Sequence, residues 1–131
     1  MPAPIAMFAY KRLDSLQKVI EALELNDMAK ETPVYVFVDG PKRETDVEKN
    51  QEVKQYLSEW KENAKFSEVT LIFSEKNKGL SKSIIEGVGR LMDEYGRAIV
   101  VEDDIVVTKD FLSFMNRSLD YYENDSRIWA V

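Results

Sequence analysis

Residues 98–107, AIVVEDDIVV, set an apolar run directly against three adjacent carboxylates, Glu102, Asp103 and Asp104. AIVV has the length and β-branched content of a buried strand. Three neighbouring like charges disfavour one another's ionised forms. At the end of a buried strand they serve either as a solvated rim or as a holder for something positive.

The flanks of this stretch decide the fold. Before it, NKGLSKSIIEGVGRLMDEYG (77–96) carries Leu80, Ile84, Ile85, Val88, Leu91, Met92 and Tyr95 at helical spacing, with Gly96 where a C-terminal cap belongs. After it, TKDFLSFMNRSLDYYEND (108–125) reads as a helix capped by Thr108, and IWAV (128–131) as a further strand. Toward the N-terminus, VTLIFS predicts a strand over Val69 to Phe73, and VYVFVDG another over Val34 to Val38. PIAMFAY contributes a first strand over Ile5 to Tyr10. Between these lie two amphipathic helices. One carries Leu16, Val19, Ile20 and Leu23, and the other Val53, Tyr56, Leu57, Trp60 and Ala64. Asp14 with Gln17, and Thr45 with Glu48, have capping-box spacing.

Strands alternating with helices predict a Rossmann-like, doubly wound α/β fold with a mainly parallel sheet and helices on both faces. Length (131 residues) and hydrophobic content (44%) fit one domain with one core over the whole chain. A last strand with a bare edge suggests the front part of something longer.

Composition excludes several chemistries. There is no cysteine and no histidine. That removes disulfides, thiolate nucleophiles, imidazole bases and the usual zinc ligands. A metal here must sit on oxygen, which favours Mg²⁺ or Mn²⁺. The net charge of −6 and the absence of a basic run argue against nucleic acid. The apolar N-terminal run is too short to span a bilayer and lacks the pattern of a secretion signal, so the expected compartment is the cytoplasm.

In open α/β sheets, ligands bind beyond the carboxyl ends of the strands. The residues there are Lys11 and Arg12, Asp39-Gly40, Ser74 to Gly79, and Glu102 to Asp104. Each has a structural reading as well. Asp39 before Gly40-Pro41 suits an Asx turn, and the lysines of NKGLSK suit a solvated helix start. The triplet suits a polar loop ahead of a helix N-terminus. Their convergence on one expected sheet edge favours a binding site.

PIAMFAYKR, VFVDG, NKGLSKSIIEGV and AIVVEDDIVVTKDFLSFM together resemble the GT-A glycosyltransferases, the nucleotide-diphospho-sugar transferase fold. Within them the chain is similar to a bacterial group related to the protein-N-glycan N-acetylglucosaminyltransferases. The resemblance covers nearly all of the chain and rests on the order and spacing of the four motifs. It implies a donor of the nucleotide-diphospho-sugar class, typically a UDP-sugar, and an acceptor hydroxyl of unknown identity. It further implies that Asp104 ligates Mn²⁺ or Mg²⁺ and that Asp103 contacts ribose or supports the metal. Glu102 would orient nucleotide or sugar, Asp39 would accept a hydrogen bond from the base, and Arg12 would lie near the nucleotide. Lys82 would lie near the diphosphate. A general base is not assignable, and this chain is expected to hold the donor-binding part without necessarily being active alone.

Other classes fit less well. A receiver domain needs an acidic pair after the first strand and an aspartate after the third, where this chain has YKRLD and SEKNKG. A pyrophosphorylase or a dinucleotide-binding domain needs a glycine-rich first loop, and AYKRLDSL has none. A non-catalytic α/β module with a solvated acidic rim remains the plain alternative.

Overall fold

The computed structural model describes residues 2–105 and 107–121. Four strands form one sheet in the order β3-β2-β1-β4: β1 Ile5–Ala9, β2 Pro33–Val38, β3 Glu68–Phe73 and β4 Ile99–Glu102. All three pairings are parallel, with Ile5 opposite Val34 and Ile99, and Val34 opposite Val69. The helices are α1 Leu13–Glu24, α2 Val47–Trp60, α3 Leu80–Tyr95 and α4 Phe111–Tyr121. This is the expected Rossmann-like α/β architecture with helices on both faces. The further strand expected at 128–131 lies outside the described residues.

Alternation along β1 builds both faces. Ile5, Met7 and Ala9 point into the larger core, where Leu16, Val19, Ile20 and Leu23 of α1 meet Val53 and Leu57 of α2 and Leu112 and Met115 of α4. Ala6 and Phe8 point the other way, with Tyr35, and pack under Ile84, Val88, Leu91 and Tyr95 of α3. A buried Leu or Ile contributes about 1.5–3 kcal/mol relative to exposure, so the larger core dominates stability. At Gly87 an added Cβ would sit 2.9 Å from the Phe8 ring, so α3 lies close over the stacked Phe8–Phe37 pair.

Three local expectations come out differently. α1 begins at Leu13 with Arg12 at its N-cap and no side-chain cap, which leaves Asp14 inside the first turn. Thr45 lies in a 3₁₀ turn, Glu44–Asp46, that leads into α2, so its capping box does not form either. α4 starts at Phe111, beyond Thr108, and is capped from elsewhere: Asn26 Oδ1 accepts from the Leu112 N–H at 2.9 Å. Asn26 Nδ2 also donates to the Thr108 carbonyl at 3.1 Å. Gly96 does form the expected cap, at φ 78°.

On α3 the seven apolar positions do not share one face. Ile85 and Met92 are exposed because the arc they add is wider than the sheet contact, and Leu80 is exposed because it stands at the helix start, where it lines a cleft. Val100 is partly exposed on the same side of the sheet as α3, since β4 lies at the edge of the four described strands.

Candidate functional site

Strand order reverses between β1 and β4, because the chain leaves β3 at one edge and returns at the other. At that switch point the strands' carboxyl ends and the start of α3 enclose a cleft of about 470 Å³. This is within the size range of small-molecule sites. Tyr10, Lys11 and Arg12 come from the end of β1, Asp39 from β2, and Glu102 to Asp104 from β4. Asn77, Gly79 and Ser83 line the α3 side, and Lys42, Arg43 and Asp46 the loop after β2.

The β2 wall is tightly bonded. Asn50, on the inner face of α2 and only 2% exposed, donates through Nδ2 to the carbonyls of Tyr10 and Asp39, each at 2.9 Å. It thereby ties the ends of β1 and β2 together. The Asp39 carboxylate faces the 77–79 segment. Oδ1 accepts from the Gly40 and Lys78 N–H groups, each at 2.9 Å. Oδ2 accepts from Gly79 N–H at 2.9 Å and Asn77 Nδ2 at 3.1 Å. Asn77 Nδ2 also donates to the Gly40 carbonyl at 2.8 Å. A side chain at Gly40 would meet the Glu75 carbonyl oxygen at 2.5 Å, so the two segments touch through backbone. Gly79 sits at φ 87°, a conformation that favours glycine and lets consecutive N–H groups turn toward Asp39.

Beside it, Asp46 receives Lys11 Nζ and the Tyr10 hydroxyl, both at 2.9 Å. The bond from Lys11, followed by that from Tyr10, holds the Asp46 carboxyl below its usual range. Burial pushes the Tyr10 phenol up, so it remains a donor to Asp46 while accepting from the Lys42 N–H at 2.7 Å.

The β4 wall is acidic. Burial raises the Asp103 carboxyl; Arg12 opposes that shift, while Asp104 and Glu102 reinforce it. Asp104 is exposed and lies 3.6 Å from the Arg12 guanidinium, an ion pair with both side chains more than half exposed (62% and 54%). Such a pair is screened and weak.

Arg12, Asp39, Glu102, Asp103 and Asp104 therefore converge on one cleft. Lys82 does not join them. It is exposed on α3, where with Lys78 it helps to hold the Glu86 carboxyl below its usual value. Tyr10, Asp46 and Asn50 were not singled out from the sequence. Asn50 had a signal: it lies three and seven residues before Val53 and Leu57, a polar residue on an apolar stripe. Asp46 had none, since its partners are more than thirty residues away (|i−j| of 35 and 36).

Among the described residues no three acidic side chains are grouped closely enough to cage an ion. The donors of the triplet are all carboxylate oxygen. That set fits a hard cation held by one or two carboxylates and completed by a ligand's phosphates and water, the usual mode of Mg²⁺ at nucleotide sites.

No protein-family model matches the chain, and no curated protein does. Among solved structures, that of S. aureus TarS 1-349 matches with a TM-score of 0.68 at 17% identity, over 94% of this chain. The chain spans 33% of that one. At this identity the likeness is one of fold alone.

Proposed function

We propose that the cleft binds a nucleotide-diphospho-sugar, with UDP-sugars the expected class, as the donor half of a glycosyltransferase. The observation that carries this is the Arg12 guanidinium 3.6 Å from Asp104, beside Glu102 and Asp103 in one cleft at the switch point of a fold shared with TarS. In this reading Asp104 holds Mn²⁺ or Mg²⁺, supported by Asp103, and Arg12 faces the diphosphate. Glu102 orients nucleotide or sugar, and the nucleoside lies toward Tyr10 and the β2 wall. The bound cation would neutralise charge developing on the departing nucleoside diphosphate. Arg12 adds a permanently charged guanidinium, suited by its fork to phosphate oxygens. No residue is assigned as general base, and the acceptor is an unspecified hydroxyl. The cytoplasm is the compartment proposed. No helix among the described residues is long and apolar enough to cross a membrane.

The exposure of Asp104 favours a second reading, a binding module with a solvated acidic rim. Calorimetry separates the two. UDP should bind at least about tenfold more tightly with Mn²⁺ than without it, as expected when a cation bridges carboxylate and phosphate. Equal affinity in both conditions, or no binding in either, overturns the donor-site reading.

A further inference from the structure

Asp39 is the residue for which resemblance and geometry diverge most. The resemblance gives it a direct contact with the base. Yet its carboxylate offers roughly four lone-pair positions, and four N–H donors of this chain already point at it. Charge-assisted bonds of this kind are about twice as strong as neutral ones. A base N–H would arrive as a fifth donor, or would have to displace one of the four.

We infer that Asp39 is a positioning residue: its carboxylate fixes the 77–79 segment, and so the first turn of α3, as a wall of the cleft. Three of its four donors come from that segment, namely Asn77, Lys78 and Gly79. Asn77 closes the arrangement from the other side by bonding the Gly40 carbonyl. Behind it, the close backbone approach of Gly40 to Glu75 leaves little room for the segment to shift. Gly79 and Ser83, carried by the same turn, line the cleft. Asp39 is itself anchored through its carbonyl, which accepts from the buried Asn50. The β2 end is therefore a fixed post, and the start of α3 is fastened to it by one carboxylate. The effect of Asp39 on a nucleotide follows from where that turn stands, whichever base the nucleotide carries. This last consequence rests on the donor-site reading; the fastening itself does not.

The test uses Asp39→Asn, which keeps size and shape but turns an NH₂ toward donors. In the free protein, amide hydrogen exchange at Lys78 and Gly79 should rise by about tenfold, with the amides of β1 and β2 unchanged. In the presence of Mn²⁺, affinities for UDP, ADP and GDP should fall by similar factors, leaving their ratios unchanged. Unaltered exchange at Lys78 and Gly79, or a loss confined to one base, overturns the inference. If Asp39→Asn does not fold, Asn77→Ala removes one of the four donors together with the Gly40 bond. Its Lys78 and Gly79 amides should then exchange faster by about threefold or more, and no change overturns the inference. Should wild-type protein bind none of the three nucleotides, the donor-site reading fails and the exchange result still decides the role of Asp39.

Discussion

The two walls of the cleft hold their carboxylates in opposite ways. On the β2 side one carboxylate, Asp39, takes four N–H donors, and a buried asparagine ties its backbone to β1. On the β4 side three carboxylates stand in sequence, and among the described residues the ion pair reaching them from another strand end is the exposed 3.6 Å contact with Arg12. The first wall is complete without a ligand. The second carries negative charge that its surroundings answer weakly, to the point that Asp103 is raised by burial and by its neighbours. Polar groups satisfied internally build a site, whereas weakly paired charges and one exposed guanidinium are the ones a ligand can use.

The contrast is open to attack from both sides. The largest effect should come from the β4 wall. Asp104→Ala should weaken Mn²⁺-dependent UDP binding by about 100-fold, as befits loss of a cation ligand, with little change in thermal stability. If affinity is retained, the acidic wall is only a rim. The β2 wall should answer in stability instead. Asn50→Ala removes donors from two carbonyls at a buried position and should destabilise the fold by about 2 kcal/mol in urea titrations. A change within error would mean that water replaces those bonds.

Arg12 connects the walls and should give effects of opposite sign. Arg12→Ala should weaken UDP binding by about fivefold while strengthening binding of Mn²⁺ alone by about twofold, because it removes both a phosphate partner and a competitor for Asp104. Parallel changes in the two affinities would separate Arg12 from the acidic triplet. The smallest effect concerns pH. The Asp46 carboxyl is lowered by Lys11 and Tyr10, so its contribution to stability is present above the ordinary carboxylate range. It is lost as pH falls through the lower folded value. Urea stability measured from about pH 5 to pH 2 should therefore fall less steeply for Asp46→Asn than for wild type. Identical slopes would count against the Lys11–Asp46–Tyr10 arrangement.

Much of this was legible from short-range pattern. All four apolar positions read for α1 are buried, and Gly96 caps α3 where a left-handed residue was needed. The strands fall within a residue or so of their expected bounds, since β-branched runs between turn residues leave little choice. The capping boxes failed for a related reason: the spacing occurs in the sequence, but each helix begins elsewhere once its neighbours are in place.

By itself the sequence determined the alternation of strands and helices, the parallel sheet that follows from it, and the set of charged residues delivered to one edge. Those depend on periodicity and on the handedness of crossovers, which are properties of consecutive residues. The tertiary structure alone decided what each charge would meet. Asp39 spends its carboxylate on a segment about forty residues away, Asn26 caps a helix eighty-six residues on, and Lys82 stays outside the cleft lining, where its charge is felt by Glu86. A hydrogen bond is fixed by position to within a few tenths of an ångström, and only the packed chain sets positions that finely.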